Sequence, residues 1–168
     1  MTVVTTRPNY LNLPFLPKAL WEPRRPMLAI GVGWTAAFLP SIALTVLASL
    51  LFPAAERPEF NVDGFTAIFA LVIFAPVVET LIMALILAVL QLWLRPAGAV
   101  LVSAAAWGIA HSLVTPVWGL VIWWPFLVFS TLFVVWRQRS LSLALAIPMT
   151  VHALQNLPPA MLIASGQA

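Results

Sequence analysis

One carboxylate, two imidazoles and a carboxamide stand out in a chain that is otherwise mostly apolar. They are Glu79 in "APVVETLIMALIL", His111 in "LVSAAAWGIAHSLV", and His152 and Asn156 in "SLALAIPMTVHALQN". His152 and Asn156 are at i and i+4, so on a helix they share a face. A carboxylate can take a proton from water, and imidazole and carboxamide N–H groups can hold a developing oxyanion. Together those tasks would let water attack a carbonyl. The same residues allow other chemistries. Glu79, His111 and His152 make a two-histidine, one-glutamate zinc set. His111 and His152 alone could be the axial ligands of a haem in an electron carrier. Glu79 alone could carry protons in transport, although five spans without two matching halves speak against that. Zinc would consume all three ionisable side chains, and Thr80 leaves no second carboxylate there to act as base. Water activation without a cofactor is therefore favoured, with zinc as the alternative.

The surroundings of these residues are oil. Of 168 residues, 62% are hydrophobic and 8% charged, and the mean hydropathy is +1.03. A soluble domain of this size cannot hide that much apolar surface. The composition predicts an all-α integral membrane protein with the lipid bilayer as its main partner. No cysteine is present, which excludes disulfides, thiolate nucleophiles and iron–sulfur clusters. The net charge of +3 reads as a topology signal rather than a nucleic-acid surface.

About five transmembrane helices are expected. Residues 1–26 form a Pro-rich basic tail with Arg7, Lys18, Arg24 and Arg25, interleaved with Tyr10, Phe15 and Trp21. It reads as a cytoplasmic tail, either resting on anionic lipid or loose in solvent, and it lacks the continuous apolar core of a cleavable signal. Residues 27–52 are the first span. A polar loop leads to a four-helix core over 64–164, with spans at 64–94, 98–114, 118–136 and 140–164. Pro76 lies inside the 64–94 run and predicts a tilt, kink or break there. With the N-terminus inside, Arg7, Lys18, Arg24, Arg25, Arg95, Arg137 and Arg139 fall on the inner side and only Arg57 outside. Trp21, Trp93 and Trp136 lie beside the inner arginines as an interfacial belt. This predicts a multi-pass protein of the cell (plasma or inner) membrane with a cytoplasmic N-terminus.

In that frame Glu79, His111 and His152 are the ionisable groups of the membrane core. Counted from the inner ends of their helices, their depths are roughly 22, 20 and 18 Å at about 1.5 Å per residue. Singly, each reads as hydrogen-bonding glue between helices. Three helices delivering them to one depth points to one site. An acidic side chain at that depth costs on the order of 3 kcal/mol on insertion scales, which makes it a functional candidate. Ser103, Trp107 and His111 share a face. Ala104, Ala105, Ala106, Gly108 and Ala110 suit close helix approach. Pro76 frees a carbonyl near Glu79.

The three quoted segments resemble the motifs of the CPBP intramembrane proteases, the CAAX-protease and bacteriocin-processing (Abi) family. That pattern is Glu-Glu-x-x-x-Arg, then Phe-x-x-x-His, then His-x-x-x-Asn/Asp on successive membrane helices. The resemblance covers about residues 64–164. It implies an intramembrane endopeptidase acting on membrane-associated peptides or proteins. Glu79 and His111 would activate a buried water, and His152 and Asn156 would stabilise the oxyanion. Thr80 stands at the second motif glutamate and Trp107 at the phenylalanine, both as supporting positions, and Ala84 stands at the motif arginine. The departures at Thr80 and Ala84 motivate a second expectation: a catalytically inactive relative serving as a membrane scaffold, immunity or regulatory protein.

Overall fold

The computed structural model describes residue 11 and residues 13–166, so Arg7 and Tyr10 of the basic tail lie outside the described residues. Among the described residues there is no strand. Five long helices follow one another: α1 (Pro26–Leu51), α2 (Gly64–Leu90), α3 (Pro96–Ser112), α4 (Gly119–Trp136) and α5 (Leu141–Ala164). By length and composition α1, α2 and α4 are apolar enough to cross a membrane. The other two are not counted with them, since α3 has 17 residues and α5 is diluted by polar side chains and three prolines. The all-α membrane architecture stands.

The helix ends follow local chemistry. α1 and α3 both begin with proline at the first turn, where its missing N–H costs nothing. The second span was expected to reach Leu94, but α2 stops at Leu90. Arg95 must be extended ahead of Pro96 (φ −64°, ψ 155°), so residues 91–94 leave the helix as turns.

α4 is the axis of the bundle. Every residue from Pro125 to Trp136 is buried, and α4 touches all four other helices. α1 meets it along small residues, Ala29, Gly33, Ala37 and Ser41, while Leu39, Ile42, Val46 and Leu50 of α1 face outward as a lipid-facing side would. α3 approaches α4 closest at Gly108 and Gly119, where a Cβ on Gly119 would collide with the Gly108 carbonyl. Of the small residues expected to permit this approach, Ala104 and Gly108 face the bundle and Ala105, Ala106 and Ala110 face out.

Proline-freed carbonyls mark where helices cross. Pro40 cannot donate to the Ala36 carbonyl four residues back, and Trp124 Nε1 of α4 donates to it at 2.8 Å. Pro76 has a counterpart effect in α2. The helix is not broken there; residues Phe69–Phe74 wind as a π-helix into Ala75.

The described part of the N-terminal segment packs one edge against the bundle. Leu11, Leu13, Leu16 and Leu20 are buried, Phe15 meets the Trp124 ring at 6.4 Å, and Arg139 Nη1 donates to the Pro23 carbonyl at 3.0 Å. Leucines every few residues between prolines give a strap of turns and a short 3-10 helix (Lys18–Leu20) with one apolar edge, and burying that edge is more favourable than exposing it to water.

Candidate active site

α2 presents Pro76, Thr80, Met83 and Leu87 to the core. Glu79 sits beside that face with its side chain 26% exposed and turned to α5. There Oε2 lies 3.6 Å from Nε2 of His152, whose side chain is 5% exposed. This is just beyond a direct hydrogen bond, and one water can touch both atoms.

His152 is held by aromatic rings of α4. Its imidazole stacks on Phe129 at 4.7 Å and 24°, and stands edge-on to Phe126 at 5.5 Å and 75°. Its Nδ1 has no partner among the described residues. Packing on two faces leaves the ring little freedom, so the Nε2 edge is aimed at Glu79 before any substrate arrives.

His111 is the last-turn residue of α3. Its Nδ1 is 2.8 Å from the Trp107 carbonyl one turn back. A carbonyl only accepts, so Nδ1 carries the hydrogen and the neutral ring keeps its lone pair on Nε2. Trp118 closes edge-on over this ring at 4.7 Å and 88°, and Phe60 of the loop between α1 and α2 meets Trp118 at 5.7 Å and 90°. Trp107 stacks on Phe126 at 4.2 Å. Phe126 thus touches Trp107 and both histidines, at 5.8 Å from His111 and 5.5 Å from His152. Ser103 on the same face of α3 meets Ser130 of α4 at 3.1 Å in the core.

Asn156 lies one turn beyond His152. Its Nδ2 donates to the Leu71 carbonyl of the π segment at 2.9 Å. Thr80 is 1% exposed, and its hydroxyl has no partner among the described residues. Ala84 packs against the core. A motif arginine there would point into apolar packing.

The donors do not gather into a zinc centre. Among the described residues no group of three His, Asp or Glu side chains is close enough to hold a metal ion. Glu79 and His152 meet, and His111, on the far side of the shared Phe126 ring, has its Nδ1 committed to backbone. Nor does the arrangement fit a porphyrin between the histidines, because the Phe126 ring packs against both. A groove of about 540 Å³ between the strap and α1, lined by Pro17, Met27, Gly31 and Trp34 among others, includes none of the site residues.

Residues that the sequence reading did not single out complete the site: Phe126 and Phe129, Trp118, and the Leu71 carbonyl. Pro76, five residues after Leu71, was the available signal for the last. The aromatics carry none, because phenylalanines at helical spacing look the same in any core.

The family model for Rce1-like proteins, described as type II CAAX prenyl endopeptidases, matches residues 61–158, more than half of the chain. That stretch contains Glu79, His111, His152 and Asn156 together. No curated protein and no solved structure matches the chain.

Proposed function

The chain belongs to the Rce1-like family of peptidases, and we propose that it is an intramembrane endopeptidase that cleaves membrane-associated peptides or proteins. The observation that carries this reading is the 3.6 Å approach of Glu79 to His152 inside an apolar bundle. Nothing in the packing of such a bundle calls for a carboxylate beside an imidazole, and polar groups at that depth are costly.

Glu79 takes a proton from a water that also donates to the lone pair on His111 Nε2. The water oxygen attacks the peptide carbonyl carbon, and the C=O electron pair moves onto oxygen. The His152 N–H donates to that oxyanion; one donor of this kind contributes about 3 kcal/mol. When the intermediate collapses, the C–N bond breaks and the leaving nitrogen takes the proton from Glu79. One water is consumed, and a carboxylic acid and an amine are released. No step in this scheme calls for a metal. The bilayer supplies the substrate's environment, and the arginine asymmetry supports a cytoplasmic N-terminus in a cell membrane.

The experiment uses the full chain in lipid vesicles with membrane-anchored test peptides, in water enriched in 18O. The expected result is one 18O in the newly formed carboxyl terminus, with cleavage reduced about 100-fold by His111→Ala and by His152→Ala. Cleavage at the wild-type rate in both variants would overturn the reading. A second reading, an inactive membrane scaffold or regulatory protein, is favoured by Thr80 and Ala84, which put no acid or base where the resemblance has them. It predicts a folded protein that cleaves none of the test peptides.

A further inference from the structure

The Leu71 carbonyl is an orphan by construction. Ala75 donates its N–H five residues back, to the Ala70 carbonyl. In this register residue 76 would serve Leu71, but Pro76 has no N–H. Even half-buried, as Leu71 is, a carbonyl without a donor is costly in an apolar medium. Asn156 supplies the donor from α5, at 2.9 Å. The bond therefore ties the π segment of α2 to the turn of α5 that follows His152. Glu79 lies three residues beyond Pro76 and faces His152. The two helices are joined at two points, and the first sets how the second meets. Pro40, Ala36 and Trp124 repeat the device at another crossing, where it joins α1 to α4.

We infer that Asn156 is a positioning residue: its amide clasps the Leu71 carbonyl and sets Glu79 against His152, rather than acting on the reacting carbonyl. This rests on the peptidase reading for its effect on rate, but the clasp itself does not. The π segment and Pro76 make the clasp necessary, so the two residues are energetically coupled. With alanine at 76 a backbone N–H returns, the segment can relax to ordinary α register, and the Leu71 carbonyl no longer needs Asn156.

The test is a double-mutant cycle of Asn156→Ala and Pro76→Ala in the full chain reconstituted in lipid, read two ways. Hydrogen exchange by mass spectrometry follows the peptides covering residues 69–78. Asn156→Ala is expected to speed their exchange at least tenfold in the Pro76 protein and less than threefold when Ala stands at 76. In the cleavage assay Asn156→Ala is expected to lower kcat about 30-fold with KM unchanged, and to lower it less than threefold in the Pro76→Ala background. Equal kcat losses in both backgrounds, with exchange at 69–78 unaltered by Asn156→Ala, would overturn the clasp and return Asn156 to a direct role. If the wild type cleaves nothing, the peptidase reading fails, while the exchange coupling still decides for or against the clasp.

Discussion

Phe129 lies flat against the imidazole of His152, 4.7 Å away and at 24°, while Glu79 waits at the free edge of that ring. The stack holds the imidazole of a histidine on a long helix in one orientation, as the proposed oxyanion donation requires. Phe129→Leu keeps most of the volume and removes the flat surface. The expected outcome is a folded protein with kcat lowered about tenfold, some 1.4 kcal/mol, and KM unchanged. A steady-state comparison checks it; an unchanged kcat would mean that the ring is held by other contacts.

Gly119→Ala tests the crossing of α3 and α4. The new methyl would meet the Gly108 carbonyl, which is set by helix backbone, and the Ser112 hydroxyl, which donates to the Pro116 carbonyl. Overpacking at such a rigid point costs about 1–3 kcal/mol or more. Thermal unfolding in detergent should show a clear drop in Tm. Gly31→Ala, with nothing near its Cβ, should leave Tm unchanged.

Much of this bundle is legible in the sequence, because charge and proline punctuate the apolar runs. Arg95 and Pro96 mark the break after the second run, with the next span expected from residue 98, and α3 begins two residues earlier, at Pro96. Glu79, His111, His152 and Asn156 are visible because any polar residue is conspicuous in oil. What periodicity cannot supply is which helix is central. α4 is hydrophobic on all sides, a pattern shared by lipid-facing spans, so its burial follows only from the others packing around it. The packing of the strap is hidden for a related reason. Its basic residues signal a membrane surface, while Leu11, Leu13, Leu16 and Leu20 engage in long-range packing that has no local signature.

Trp124→Phe removes the donor to the Ala36 carbonyl that Pro40 leaves free. An orphaned buried carbonyl costs about 1–3 kcal/mol. Stability should fall by that amount in the Pro40 protein. In the Pro40→Ala background the same change should cost little, since residue 40 can then donate. Equal costs in both backgrounds would show that Trp124 stabilises through packing alone.

Thr80→Val separates fold from chemistry at the position where the motif has glutamate. The Thr80 hydroxyl is buried with no described partner, so the isosteric swap should hold or raise Tm. Cleavage should continue near the wild-type rate. A large loss of rate with Tm intact would make Thr80 part of the reacting site.

The zinc alternative has its own readout. Prolonged chelation followed by metal analysis should leave cleavage intact with far less than one zinc per chain. Activity lost on chelation and restored by zinc would mean that substrate draws Glu79, His111 and His152 together.

The most direct measurement is the cleavage rate of Glu79→Gln beside wild type, in the same vesicles with the same membrane-anchored peptide. Glutamine keeps the size and polarity of the side chain but cannot take the proton from water. The account predicts that wild type cleaves the peptide at one bond and that Glu79→Gln, equally folded, is at least 100-fold slower. Equal rates for the two proteins would contradict it.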